Sequence, residues 1–151
     1  MRAKLRKGIP HSIKKSFDEI LLVEDNENDA QLMIRGFQKF NLINKVHVIN
    51  NGKDAIEFVL NAQHNLKIVI LDLNLPNMDG FQVLQAIRSH KRTEHTPVVI
   101  LTVDKDDASI EKGYKLGASS YIVKPVDFHK FAEVISALGF YWCFLNKTCK
   151  K

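Results

Sequence analysis

Lys67-Ile-Val-Ile-Leu-Asp-Leu-Asn-Leu-Pro-Asn-Met-Asp-Gly80 decides how this chain folds, because an apolar run without polar alternation ends there on an aspartate and a loop. Such a run fits a strand buried on both faces, which is what a parallel sheet covered by helices requires. Pro76 and Gly80 mark the following segment, Asn74 to Gly80, as a loop. Asp72 therefore stands where a buried strand runs out. In an open parallel sheet the carboxyl ends of the strands share one edge, so residues distant in sequence converge there on one crevice.

Outward from this stretch the pattern repeats. Glu19-Ile-Leu-Leu-Val23 ends on Glu24 and Asp25, and Lys45-Val-His-Val-Ile49 is closed by Asn50-Asn-Gly52. Pro97-Val-Val-Ile-Leu101 carries Thr102 at its tip, and Ser119-Ser-Tyr-Ile-Val123 runs into Lys124-Pro125. Between the strands lie stretches of helical period. Ala30, Met33, Ile34, Phe37 and Phe40 mark one from Glu27 to Phe40, capped by Asn26 or Asn28 with Asp29 in its first turn. Ala55, Ile56, Val59 and Leu60 mark the second, and Phe81, Leu84 and Ile87 the third, to about His90. The fourth spans Asp106 to Leu116 and is closed by Gly117. Asp127 to Asn146 leaves room for a last helix about 30 Å long. Five strands alternating with helices predict an α/β fold, a five-stranded parallel sheet with helices on both faces, because each crossover must be right-handed.

The chain has 151 residues, room for one core without disulfide or metal staples, and no apolar run approaches the roughly 20 residues that span a bilayer. Membrane insertion is not expected. Cys143 and Cys149 are too few and too local for a disulfide framework, which fits a reducing, cytoplasmic setting. The net charge is +5, but Arg2, Lys4, Arg6, Lys7, Lys14 and Lys15 at one end and Lys147, Lys150 and Lys151 at the other account for it. The remaining body holds thirteen basic and seventeen acidic residues, a net −4. Residues 1–17 and 147–151 read as basic tails around a folded unit at 18–146. Direct nucleic-acid binding is not expected, since no aromatics are interleaved in the N-terminal tail.

Glu24, Asp25 and Asp72 offer the hard oxygen ligands that Mg²⁺ takes, or Mn²⁺ in its place. Without a cation their charges repel, and Lys124 is the natural counter-charge. A carboxylate beside such a cation can act as nucleophile toward a phosphoryl donor, and Asp72 is the best placed. Lys124 would then stabilise the equatorial oxygens, and the Thr102 hydroxyl could bond the transferred group. Alone, each piece has an ordinary reading: a helix N-terminal charge, a strand-end threonine, a Lys-Pro turn.

Ile20-Leu-Leu-Val-Glu-Asp25, Leu71-Asp-Leu-Asn-Leu-Pro-Asn-Met-Asp-Gly80, Leu101-Thr102, Gly117-Ala118 and Lys124-Pro125 together resemble the response regulator receiver domains of two-component signalling. The resemblance covers residues 18 to 146. It implies a flavodoxin-like strand order 2-1-3-4-5, with Asp72 as phosphoacceptor and Thr102 and Lys124 on the phosphoryl group. Glu24, Asp25, Asp72 and the backbone carbonyl of Asn74 would hold Mg²⁺. The partner would be a sensor histidine kinase or a phosphotransfer protein, and the only reactions catalysed would be the chain's own phosphotransfer and autodephosphorylation. Tyr121 falls at the family's aromatic switch position with Thr102; on its own it reads as a half-buried strand aromatic. The Lys124–Pro125 bond is expected to be cis, as in relatives. Val103 departs from the small residue usual after the threonine, so it is expected to crowd Asp72 and slow phosphorylation by small donors or self-dephosphorylation.

With no effector domain after the receiver, the signal would leave through a surface. Phe128, Phe131, Ile135, Leu138, Trp142 and Leu145 form the stripe expected to pack on the sheet. A second stripe, Val134, Ala137, Tyr141 and Phe144, is not needed for packing and reads as an interface. Phe140-Tyr-Trp142 resembles the extended last helix of stand-alone receivers that pair with phytochrome-type kinases. A homodimer through the face of helix four, strand five and helix five is expected. Two rivals fit worse: an FMN carrier needs a hydroxyl and glycine loop where Glu24-Asp25-Asn26-Glu27 stands, and a haloacid-dehalogenase-type phosphatase needs a second acid where Asn74 stands. A phosphorylation-independent binding adaptor would keep the fold and drop the chemistry.

Overall fold

Strand residues that alternate between two apolar faces must find a helical layer for each. In the computed structural model, which describes residues 19–39, 44–61, 63–147 and 149, they do so. The order along the chain is β1 (Glu19–Val23), α1 (Glu27–Gln38), β2 (Val46–Ile49), α2 (Gly52–Leu60), β3 (Leu66–Leu71), α3 (Gly80–Arg88), β4 (Val98–Thr102), α4 (Asp107–Lys115), β5 (Ser120–Val123) and α5 (Phe128–Phe140). The five strands form one sheet in the order β2-β1-β3-β4-β5, every pairing parallel. This is the parallel sheet with helices on both faces that the strand pattern predicts, in the flavodoxin-like order that the family resemblance implies.

Ile20 and Leu22 of β1 join Ile68, Ile70, Val99 and Leu101 under α1 and α5, which add Met33, Phe37, Phe131, Ile135 and Leu138, and Trp142 just beyond α5 completes the layer. Leu21 and Val23 turn the other way, to a core completed by Ala55 and Val59 of α2 and Val83, Leu84 and Ile87 of α3. At about 25 cal/mol per Å² these two layers dominate stability. The sheet edge carrying the site is fixed between them.

The structure corrects the expected pattern at four places. The segment after Asp72 is more ordered than a loop, since Asn74–Leu75 and Met78–Asp79 pair as a small antiparallel ribbon. Pro76 and Asn77 make its turn, with Asn77 at φ 61°. The last helix does not run uniformly to Asn146. After Phe140 it widens into a π-helical turn, Tyr141–Leu145, closed by the Asn146 amide donating to the Tyr141 carbonyl at 2.7 Å. A wider turn breaks the 3.6-residue step, so Leu145, expected in the packed stripe, is exposed. Phe128 is exposed too, because it is the first residue after the Asp127 cap and precedes the stretch that meets the sheet. Finally, the Lys124–Pro125 bond is trans: among the described residues there is no cis peptide bond. Lys124 follows directly on β5, and its backbone N–H donating to Thr102 O at 2.7 Å aligns it without a cis bond.

The expected helix end at Phe40 and the tail residues 1–17 lie outside the described residues, as do 148, 150 and 151. Among the described residues no helix is long and apolar enough to cross a membrane.

Candidate functional site

Backbone bonds that extend the sheet past its strands line up the polar residues. The Glu24 amide donates to Ile49 O at 3.0 Å and the Asp72 amide to Val23 O at 3.0 Å, which sets the ends of β1 and β3 side by side. A side chain at Gly80 would strike the Asp72 carbonyl and come within 2.6 Å of the Leu73 Cα. Only glycine lets α3 begin this close beneath Asp72. The Asp79 carboxylate then accepts from Phe81 N at 2.9 Å while Gln82 Oε1 accepts from Asp79 N, capping the helix and holding the return of the loop.

At the centre lies Lys124. Its ammonium donates to Glu24 Oε2 at 2.7 Å, Asp72 Oδ2 at 2.9 Å and Asp29 Oδ2 at 2.9 Å. Lys124, Glu24 and Asp72 are buried, whereas Asp25 is exposed at the rim. Three carboxylates share one ammonium, so the cluster keeps an excess of negative charge in poor solvent. Burial, added to by the Asp72 charge and opposed by the Lys124 hydrogen bond, pushes the Glu24 carboxyl up to about 7. Burial by itself would lower Lys124, but its bonds to Glu24, Asp72 and Asp29 outweigh that and hold it above the ordinary lysine range.

Glu24, Asp25 and Asp72 each bring one carboxylate oxygen within 4.8 Å of the others. That all-oxygen donor set, gathered where burial and a neighbouring carboxylate disfavour the Glu24 charge, suits a hard divalent cation. Asn74 sits just above, its amide donating to Asp72 Oδ1 at 3.1 Å.

Thr102 ends β4 fully buried, and its Oγ1 accepts weakly from the Asp104 amide at 3.3 Å. Asp104 is the hub of the loop. Its carboxylate accepts from Ser109 Oγ at 2.7 Å and the Asp106 amide at 3.0 Å, which holds it below the usual carboxylate range. Its carbonyl accepts the Tyr121 hydroxyl at 2.8 Å. A path thus runs from Thr102 through one residue to Tyr121, whose hydroxyl is pushed up to about 12 by burial and by the charges of Asp104, Asp106 and Asp72. Val103 is exposed beside this path, 64% of its surface open.

Every site residue named from the sequence at the strand ends therefore lies on one edge of the sheet. Asp29 is a partner that the sequence pattern missed. An acid in the first turn of a helix reads as a response to the helix dipole, yet the Asn26 cap, accepting from Asp29 N at 3.0 Å, places it over the same edge. Asp104 and Tyr114, whose hydroxyl accepts from the Tyr121 amide at 3.1 Å, were also missed, since nothing in their spacing marks them.

The second helical stripe divides. Val134 packs partly on the core, whereas Ala137, Tyr141 and Phe144 are exposed. Val134, Ala137 and Tyr141 line a shallow groove of about 360 Å³ with Ser120 and Ile122 of the edge strand β5, and with Leu138 and Trp142.

Comparison with known proteins places this geometry. The family model described as "Response regulator receiver domain" matches residues 20–136. A probable methanogenesis regulatory protein, FilR2 of Methanothrix harundinacea, is 31% identical over 133 residues, 85% of this chain and 86% of that protein. The transcriptional regulatory protein SrrA of Staphylococcus aureus is 34% identical over 121 residues, 80% of this chain, but the match spans only 47% of SrrA. Among solved structures, the phosphorylated cyanobacterial phytochrome response regulator RcpA superposes with a TM-score of 0.82 at 26% identity, covering 88% of this chain and 99% of RcpA.

Proposed function

The chain belongs to the response regulator receiver domain family of two-component signalling, and on that premise we propose that it is a cytoplasmic phosphoacceptor that takes a phosphoryl group from a sensor histidine kinase, or from a phosphotransfer protein, onto Asp72. The observation that carries this reading is the single ammonium of Lys124 shared by Glu24, Asp29 and Asp72. That arrangement is short of positive charge until a cation arrives. Glu24, Asp25, Asp72 and the Asn74 backbone carbonyl would hold Mg²⁺, or Mn²⁺. When bound, the cation supplies positive charge against the phosphoryl oxygens.

The chain's own residues do the rest. An Asp72 carboxylate oxygen attacks phosphorus as the phosphorus–nitrogen bond of the donor's phosphohistidine breaks, and the electron pair returns to the imidazole, which takes up a proton. Lys124 redirects one of its N–H donors from a carboxylate to the developing oxygens. Hydrolysis of the resulting acyl phosphate by water resets the protein, so its catalysis is confined to its own phosphotransfer and dephosphorylation. Val103 at the rim would slow this reset, and Val103→Ala would shorten the lifetime.

As the Thr102 hydroxyl turns to the phosphoryl group it gives up the Asp104 amide, and the Asp104 carbonyl that anchors Tyr121 shifts with it. The readout is the face of α4, β5 and α5, where the exposed Ala137, Tyr141 and Phe144 favour pairing with a second copy of the chain. Tyr141→Asp lowers the sedimenting mass if that pairing exists, and an unchanged mass removes this stripe from it.

The experiment for the whole reading is label transfer from an autophosphorylated sensor histidine kinase to the wild type and to Asp72→Asn. Label on the wild type alone is expected. No label on a folded wild type would favour the phosphorylation-independent adaptor.

A further inference from the structure

At the opposite end of β1 stands a second cluster that the phosphoacceptor chemistry does not use. Glu19 opens β1, His47 lies in β2, and His64 lies in the turn before β3. The Glu19 carboxylate faces both rings, Oε1 at 2.8 Å from His47 Nε2 and Oε2 at 3.0 Å from His64 Nδ1. One ligand atom from each of the three lies within 4.8 Å of the other two. From Glu19 to Glu24 the strand advances roughly 16 Å, so this cluster is separate from the Lys124 edge.

The backbone holds these side chains in register. The Glu19 amide donates to Asn65 O at 2.8 Å, tying the start of β1 to the turn that carries His64, and the His64 amide donates to Asn61 O at 3.2 Å. Phe58 of α2 walls the site, stacked on His64 with centroids 3.8 Å apart and planes 17° apart, and 4.6 Å from His47. The three side chains are about one-fifth exposed, enough for an ion to enter. Glu19 is held below the usual carboxylate range, because its bonds to His47 and His64 outweigh the effect of burial. An ionised carboxylate with two imidazoles is a borderline nitrogen and oxygen set, unlike the all-oxygen set at Asp72.

We propose that Glu19, His47 and His64 form a binding site for a divalent first-row transition metal, with Zn²⁺ as the first probe. Ligand atoms about 2.0–2.2 Å from a tetrahedral ion are separated by roughly 3.3 Å, so the two short Glu19 contacts open by a few tenths of an ångström. The imidazole protons now facing Glu19 move to the outer nitrogens, leaving lone pairs for the ion, and water takes the fourth position. The ion would staple β1 to β2 and to the turn before β3, raising the melting temperature.

The test uses untagged full-length Cys149→Ser, which removes the exposed thiol, titrated with Zn²⁺ in excess Mg²⁺ so that the oxygen-only cluster is already filled. Long-range imidazole spectra on this otherwise native chain read the ring nitrogens directly. Expected are one Zn²⁺ per chain, shifts confined to His47 and His64 among the six histidines, and affinity at least tenfold weaker in His64→Ala and Glu19→Gln. Unmoved His47 and His64 resonances, or equal affinity in both variants, would overturn the proposal.

Discussion

The two ends of the sheet solve opposite charge problems. At the carboxyl edge three carboxylates share one ammonium, with Lys124, Glu24 and Asp72 buried; at the amino edge one carboxylate faces two imidazoles, all of them partly open to water. The first arrangement keeps surplus negative charge that burial makes expensive, and a bound cation would relieve it. The second holds a single carboxylate between two ring nitrogens, at 2.8 and 3.0 Å, and accumulates no like charge. The carboxyl edge is thus short of positive charge, whereas the amino edge is not.

The contrast is sharpest on removing the hub of each cluster. Lys124→Ala leaves three carboxylates without their cation and is expected to lower stability by about 3–5 kcal/mol in metal-free urea unfolding. The pH dependence comes next. The folded pKa of Glu24, about 7, lies above its ordinary 4.5, so its contribution is complete below the lower value and is lost as pH rises through the higher one. Metal-free protein should lose up to about 3 kcal/mol between roughly pH 5 and pH 8, with Mg²⁺ restoring the loss and Glu24→Gln flattening the profile. Stability that rises over this window would contradict the charge surplus. Smallest is His64→Ala, where Glu19 keeps His47 and the cost is about 1 kcal/mol, mostly the Phe58 stack. A loss in this variant as large as that of Lys124→Ala would mean that the two ends of the sheet do not differ in charge balance.

How far each end was legible follows from the same physics. Asp72, Glu24, Thr102 and Lys124 are polar residues that terminate apolar runs, and a parallel sheet has to gather such ends on one edge. Asp29 escaped because its hydrogen bond to Lys124 spans 95 positions while its local setting already has a sufficient explanation. Glu19, His47 and His64 escaped for a related reason: the strand register brings them together, and no spacing announces it. The π-helical turn at Tyr141–Leu145 is a backbone choice that hydrophobic period alone does not encode, which is why Leu145 was placed on the wrong face.

The most direct measurement of the central claim needs no kinase. Wild type and Asp72→Asn are incubated with phosphoramidate, a small nitrogen-linked phosphoryl donor, with Mg²⁺ and with chelator, and followed by intact-protein mass. One added phosphoryl group is expected on the wild type, only with Mg²⁺, and none on Asp72→Asn. A wild type that stays unmodified, or an Asp72→Asn chain that gains the same mass, would contradict it.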